Sequence, residues 1–228
     1  MNVLYEDNHI IAINKAVGDI VQGDKTGDKP LPEYIKAYLK EKYNKPGNVF
    51  CGVTHRLDRP VSGAVIFAKT SKGLERMNRL FAAHREIQKR YWAIVLGSPK
   101  QDEGHLEDWL VRVEKQNKSY AYANEKPNSK FASLDYKVLA RGDNYSLLEI
   151  DLHTGRHHQI RCQLATIGHP IKGDLKYGAP RSNPNGGISL HARSIEFEHP
   201  ISHEQISITA PLPNEPLWNA LVGIAKKG

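Results

Sequence analysis

Apolar runs of strand length recur along this chain, and only four stretches with helical spacing interrupt them. His9 to Asn14, Ala64 to Ala68 and Arg90 to Gly97 read as buried strands, each short, rich in β-branched or aromatic residues and bounded by turn formers. Phe131 to Ala140 and Tyr145 to Leu152 alternate with period two. Ala132, Leu134, Tyr136, Val138 and Ala140 share one face of the first, and Leu148, Ile150 and Leu152 one face of the second. The turn Arg141-Gly142-Asp143-Asn144 between them predicts a hairpin. Further strands are expected at Ser119 to Ala123, Ile188 to Phe197 and Gln205 to Thr209. The helical stretches are Leu31 to Tyr43, a segment opened by Thr70-Ser71, His157 to Ile167, and Asn214 to Ala225 with Pro216 in its first turn. In the second of these, Leu74, Met77, Phe81, His84 and Ile87 follow three- and four-residue spacing. Strands and helices mix without strict βαβ alternation, which predicts an α+β fold on a mixed, mostly antiparallel sheet rather than a doubly wound one. No internal repeat and no linker rich in Pro, Gly or Ser divides the 228 residues, so one domain is expected, or two subdomains sharing a core.

Lys and Arg outnumber Asp and Glu by 32 to 25, a net charge of +7 that favours a polyanionic partner. Cys51 and Cys162 stand far apart and outside any CxxC pattern, so neither a disulfide framework nor a zinc cluster is implied, and a reducing, cytoplasmic setting is expected. The first residues, Met-Asn-Val-Leu-Tyr-Glu-Asp-Asn, lack the basic and apolar regions of a signal peptide. The apolar runs are too short to cross a bilayer as helices, so no membrane partner is expected.

Two segments concentrate chemistry. In His55-Arg56-Leu57-Asp58-Arg59-Pro60-Val61-Ser62-Gly63, one carboxylate lies between two arginines ahead of an apolar strand. Neighbouring cations favour its ionised form, and an oriented carboxylate can act as a nucleophile or base. The plainer reading is a loop aspartate, with Arg-Pro steering the chain into the strand. In Thr154-Gly155-Arg156-His157-His158-Gln159-Ile160-Arg161, histidines, arginines and a glutamine gather at a helix start, where free backbone N–H groups can hold an anion. Adjacent His157 and His158 lack metal-ligand spacing and an acidic companion, so no metal site is expected in this chain. Arg76, Arg79, Arg85 and Lys89 offer either a phosphate track or merely a solvated face of the second helix, the latter being the commoner use of such a face. The loop from Gly173 to Gly187 is long and polar enough to be functional or mobile.

Five motifs in order carry a resemblance. They are His55-Arg56-Leu57-Asp58 with Ser62-Gly63, Tyr91 in Tyr-Trp-Ala-Ile-Val-Leu-Gly, Thr154-Gly155-Arg156-x-His158-Gln159-Ile160-Arg161, Gly168-His169-Pro170-Ile171-x-Gly173-Asp174, and Leu190-His191-Ala192. Together, from about Ile10 to about Pro213, the chain resembles the RluA-like family of pseudouridine synthases, in a short form without an N-terminal S4-like RNA-binding domain. The resemblance implies the pseudouridine synthase fold, with an active-site cleft across a sheet that two subdomains share. It implies isomerisation of a uridine within RNA, with no cofactor. Asp58 matches the essential catalytic aspartate, Tyr91 the residue that stacks on the target uracil, and Arg161 the arginine that pairs with the aspartate and aims it. Arg56 matches a residue that fills the gap left by a flipped nucleotide. His55, Arg156, His158 and Gln159 are expected around the RNA. The implied partner is an rRNA or tRNA stem-loop, bound by a monomer.

Two departures bear on RNA recognition: Ala16 in Asn14-Lys15-Ala16-Val17-Gly18, where the family has proline, and His157, where it has threonine. Two rival readings remain. One is an RNA-binding or remodelling protein that kept the fold without the reaction. The other is a glycoside or nucleoside hydrolase, which needs a second carboxylate, and Asp174 is the only other one borne by a motif.

Overall fold

The chain sorts into two units, Met1–Gln88 with Ala192–Pro211 and Lys89–His191 with Leu212–Gly228. This computed structural model describes residues 1–24, 26–83 and 86–227.

In the first unit the strands are β1 (Val3–Glu6), β2 (Ile10–Lys15), β3 (Gly52–Val53) and β4 (Ser62–Ala68). They are joined by β10 (Leu190–Glu198), from Ala192 onward, and β11 (Gln205–Thr209). The order is β1-β2-β4-β10-β11, with β3 on β4. Helix α1 (Leu31–Lys42) starts on Pro32 with Glu33 in its first turn and Lys40 and Lys42 in its last, charges that complement the helix dipole. It buries Leu31, Ile35 and Leu39. Helix α2 (Ser71–Ala83) opens with the Thr70 hydroxyl accepting from the Gly73 N–H at 3.0 Å. Ile10, Ala12, Ala64 and Ile66 meet Met77, Leu80, Ile195, Phe197 and Ile208 in the core.

The second unit is an antiparallel meander of β5 (Ile87–Leu96), from Lys89 onward, β6 (Glu103–Val113), β7 (Lys118–Tyr122), β8 (Lys130–Arg141) and β9 (Tyr145–Leu152), in the order β5-β9-β8-β6-β7. Helix α3 (Gln159–Thr166) and helix α4 (Pro216–Ala225) complete it. Trp218 and Leu221 of α4 pack on Ile94, Ala140 and Leu147, while Cys162 of α3 packs with Leu110, Ala132 and Tyr177.

Most expected elements are present, and the differences have local causes. Helix α2 ends at Ala83, and Ile87 begins β5, so Ile87 is a core residue of a strand rather than the last rung of a helix. Lys89 likewise lies on β5 and is 6% exposed, which removes it from the basic helix face. Arg76 donates to the Pro200 carbonyl at 2.7 Å, and Arg79 pairs with Glu75 one turn away. Those contacts favour the solvated-face reading. His84 and Arg85 lie outside the described residues. Strands β1 and β6 had no counterpart in the apolar pattern, since β1 is only half-buried and β6 buries Leu110 alone. Helix α3 starts later than His157 because His158 adopts a left-handed backbone, φ 54°, and cannot be helical. The loop from Gly173 to Gly187 is tied down: Asn183 is buried, accepts from Lys172 Nζ at 2.5 Å and donates to Ser189 Oγ at 3.2 Å.

Glu6 joins three elements of the first unit. It accepts from Tyr38 (3.0 Å) and Lys42 (2.7 Å) of α1, from Tyr43 (2.7 Å) and from Lys69 after β4 (2.8 Å). Burial alone would push its carboxyl up, but the hydrogen bonds from Lys42, Lys69, Tyr43 and Tyr38 outweigh that and bring it down to about 2. Its contribution is therefore complete above the ordinary glutamate range and lost as pH falls toward 2. Replacing Glu6→Gln will lower the thermal midpoint at pH 7, by the equivalent of about 1 kcal/mol after screening. The gap from the parent will close between pH 4.5 and pH 2, as thermal melts across that range will show.

Candidate active site

Asp58 heads a turn that the first unit pins from behind. The Val61 N–H donates to the Asp58 carbonyl at 3.0 Å. Lys15, at the end of β2 and 1% exposed, donates its ammonium protons to the carbonyls of Ala16 (3.0 Å), Arg59 (3.1 Å) and Val61 (2.7 Å). The Gly18 N–H also reaches the Arg59 carbonyl, at 3.0 Å. Burial lowers the Lys15 amine to about 8, while the charges of Asp19 and Asp58 act to raise it. A lysine so placed holds the backbone of the turn, with Ala16 in the position where the family has proline. Beyond the turn, Gly63 has φ 114°, and a β-carbon there would lie 2.3 Å from the Ala192 carbonyl oxygen. Only glycine fits that approach of β4 to β10.

The two arginines beside Asp58 in sequence point elsewhere. Arg59 pairs with Asp28 and Asp24 and donates to Thr26 Oγ1 at 3.2 Å. Arg56 is exposed and donates to Gln22 at 3.2 Å. His55 accepts the Ile66 N–H through Nε2 at 3.0 Å and stacks on Phe81 at 4.4 Å between centroids. These contacts make His55 a brace between the Asp58 segment, β4 and α2.

In the second unit, Tyr91 lies on β5 opposite Ile150 of β9 and is 9% exposed. Lys89 shares its face of β5, and burial lowers the Lys89 amine to about 8 against the opposing pull of Asp151. A β-carbon on Gly155 would stand 3.9 Å from Lys89 Nζ, so the Thr154-Gly155-Arg156 turn comes close to the strand that carries Tyr91. Gln159 shapes that turn. Its Oε1 accepts from the Thr154 hydroxyl (2.7 Å) and the Arg156 N–H (3.0 Å), and its Nε2 donates to the Ser133 carbonyl (3.1 Å). His158 is buried, with Nδ1 3.0 Å from Tyr177 Oη. His157 stacks on His158 at 3.8 Å, with its own ring nitrogens 2.9 Å from Ser119 Oγ and 3.1 Å from Asn117 Oδ1. Gln159 and His158 thus position the motif from within, whereas Arg156 is half-exposed and donates to the Phe131 carbonyl at 2.8 Å.

Arg161 is 5% exposed on α3, and its guanidinium meets Asp174 in two parallel bonds, Nε to Oδ2 at 2.6 Å and Nη2 to Oδ1 at 2.9 Å. It lies 5.2 Å from the Tyr177 ring centroid. From sequence, Asp174 had no such part. The signal was available, because Arg161 is the one charged residue of its helix and the Gly168–Asp174 motif carries a carboxylate to meet it. Asp174 is 1% exposed and committed to this pair, which removes it as the second acid of a hydrolase.

Residues 9–166 match the family model described as RNA pseudouridylate synthase. An uncharacterized RNA pseudouridine synthase of Synechocystis is 33% identical over 93% of this chain and 66% of its own length, so the chain spans about two thirds of that relative. The dual-specificity RNA pseudouridine synthase RluA of Pasteurella multocida is 32% identical over 92% of this chain and 93% of its own. The tRNA pseudouridine synthase C of Vibrio parahaemolyticus is 30% identical over 97% and 93%. The solved structure titled human RNA pseudouridylate synthase domain containing 4 superposes with a TM-score of 0.79 at 22% identity, over 99% of this chain and 93% of that one, and so shares the fold. The chain belongs to the RNA pseudouridylate synthase family, a family of RNA-modifying isomerases.

Asp174→Asn keeps the shape but strips the buried guanidinium of its bidentate charge partner. It will destabilise the protein by about 3 kcal/mol, read as a lowered midpoint in urea melts, whereas Asp102→Asn on the exposed Arg141 pair will change it by less than about 1 kcal/mol.

Proposed function

We propose that this protein converts uridine to pseudouridine in a stem-loop of ribosomal or transfer RNA, with Asp58 as the catalytic residue, Tyr91 against the uracil and Arg161 orienting Asp58. The observation that carries the proposal is the placement of Asp58 on a turn whose backbone the buried Lys15 ammonium clamps at Arg59 and Val61. A turn held this way limits where its Asp58 side chain can reach, so less backbone reorganisation is needed when a substrate arrives.

The reaction balances without a redox partner. The N1–C1′ bond of the uridine breaks, the uracil turns, a C5–C1′ bond forms, and the proton leaving C5 is replaced by one gained at N1. Asp58 assists the first step either by attacking C1′ or by drawing a proton from the sugar to give a glycal. The Tyr91 ring supplies a stacking face and its hydroxyl a proton carrier near C5. The nucleotide must first leave its stack, at a cost of a few kcal/mol, which cationic side chains offset through phosphate contacts. Arg56, which is exposed, and Arg156, which is partly exposed, fit that role. His55, His158 and Gln159 act through the segments they brace. No helix among the described residues is long and apolar enough to cross a membrane. The setting proposed is the cytoplasm and the acting species a monomer.

RNA carrying uridine tritiated at C5 tests the assignment. The parent protein will release tritium to water, and Asp58→Asn will slow release at least about a thousandfold while still binding the RNA. Equal release by the two proteins would end the assignment of Asp58. Arg56→Ala will weaken RNA binding and reduce the slope of log affinity against log salt by about 1, the signature of one lost phosphate contact, which filter binding at several salt concentrations will measure.

A further inference from the structure

The meander of the second unit has one strongly acidic face on a chain that is basic overall. Strand alternation and register place Glu103, His105 and Glu107 of β6 beside Asp135 and Lys137 of β8, and these beside Glu149 and Asp151 of β9. Five of these seven side chains are carboxylates; with Lys137 among the seven and Arg90 of β5 opposite Asp151, the face stays net negative on a protein of net charge +7. A hollow of about 420 Å³ opens on this face, lined in part by Glu103, His105, Asp135 and Asp151. A polyanion is repelled here, and a cation is drawn in.

At one end of the hollow two imidazoles converge on a single carboxylate. Asp135 is directly across from His105 in the β6–β8 register, and its Oδ1 meets His105 Nδ1 at 2.5 Å. Its Oδ2 meets Nε2 of His153, the residue that follows β9, at 2.7 Å. The three side chains are each about half-exposed, and their ligand atoms lie within 4.8 Å of one another. We propose that His105, Asp135 and His153 form a binding site for one divalent transition-metal ion, with Zn²⁺ as the reference case.

The donor set is two nitrogens and one oxygen, which suits Zn²⁺, Co²⁺ or Ni²⁺ rather than the all-oxygen preference of Mg²⁺. With bonds of about 2.0–2.2 Å, ligand atoms on a tetrahedral ion stand roughly 3.4 Å apart. Half-exposed side chains on three neighbouring segments reach that spacing by small torsional changes. Glu107, two residues along the same face of β6, has a carboxylate oxygen 3.0 Å from His105 Nε2. That contact turns Nδ1 toward Asp135 and supplies the outer carboxylate that metal-bound histidines commonly have. Water would complete the coordination. Adjacent His157 and His158 were the obvious place to look for a metal in the sequence, whereas here the ligands are spread from His105 to His153 and meet only through strand register.

An ion held there would tie β6 and β8 to the segment after β9. That segment runs directly into Thr154, whose hydroxyl oxygen accepts the Ser133 N–H at 3.0 Å, and on to the turn that Gln159 shapes. The inference rests on this geometry and stands apart from the proposed reaction.

The test uses the full chain, stripped with a chelator and titrated with Co²⁺ while its visible absorption is followed. One equivalent will bind with the bands of a nitrogen-coordinated ion, Zn²⁺ will displace it, and a large excess of Mg²⁺ will not. Zn²⁺ will also raise the thermal midpoint by a few degrees. His153→Ala and Asp135→Asn will each weaken binding at least about tenfold, and Glu107→Gln about tenfold through the His105 ring. His203→Ala removes an exposed histidine paired with Glu198 in the first unit, and will leave binding unchanged. Melting of each variant in chelator checks that it is folded. Absence of stoichiometric Co²⁺ binding, or binding untouched by His153→Ala, would overturn the site. So would an equal loss with His203→Ala, which would mark diffuse histidine binding.

Discussion

A guanidinium that is 5% exposed can exist in a folded protein only where its charge is met, and Asp174 meets that of Arg161 with two bonds. The pair connects α3 to the Gly168–Asp174 segment, two pieces of chain that the apolar pattern alone would not bring together. Tyr177 lies under the guanidinium, accepts the Ser119 N–H at 2.8 Å, and touches His158. One ion pair therefore orders the start of α3, the loop after it and the edge strand β7. Desolvation makes such a pair costly as a source of stability. Its value lies in holding one geometry.

The first unit solves a similar problem with a different group. Lys15 is buried among carbonyls rather than beside a carboxylate, and each carbonyl belongs to the turn headed by Asp58 or to the chain end that approaches it. The Asp58 charge in turn acts to raise the lysine amine that burial lowers. Ala16, one of the two departures from the family pattern, leaves the clamp in place, its carbonyl accepting from Lys15. His157, the other departure, is accommodated by Ser119 and Asn117 of the second unit.

The legible part of the fold was the part with strong apolar periodicity. The hairpin of β8 and β9 was bounded to within a residue at each end, because turn residues sit between two alternating runs. Strand β6 was invisible for the converse reason: one face carries Glu103, His105 and Glu107, and the other buries only Leu110. At the proposed site, the motifs point to Asp58, Tyr91 and Arg161, but not to the side chains that brace their segments. The sequence could not show that Arg59 turns to Asp28 or that Gln159 and His158 face inward. Those assignments depend on register and on burial, neither of which leaves a local mark.

The proposed reaction puts the work of Asp58 on RNA in the cell. The most direct measurement compares pseudouridine maps of ribosomal and transfer RNA in cells with the gene, without it, and with the gene encoding Asp58→Asn. One or a few positions will lose pseudouridine on deletion, regain it with the parent gene and stay unmodified with Asp58→Asn. Identical maps in all three, or full restoration by Asp58→Asn, would contradict the proposed reaction.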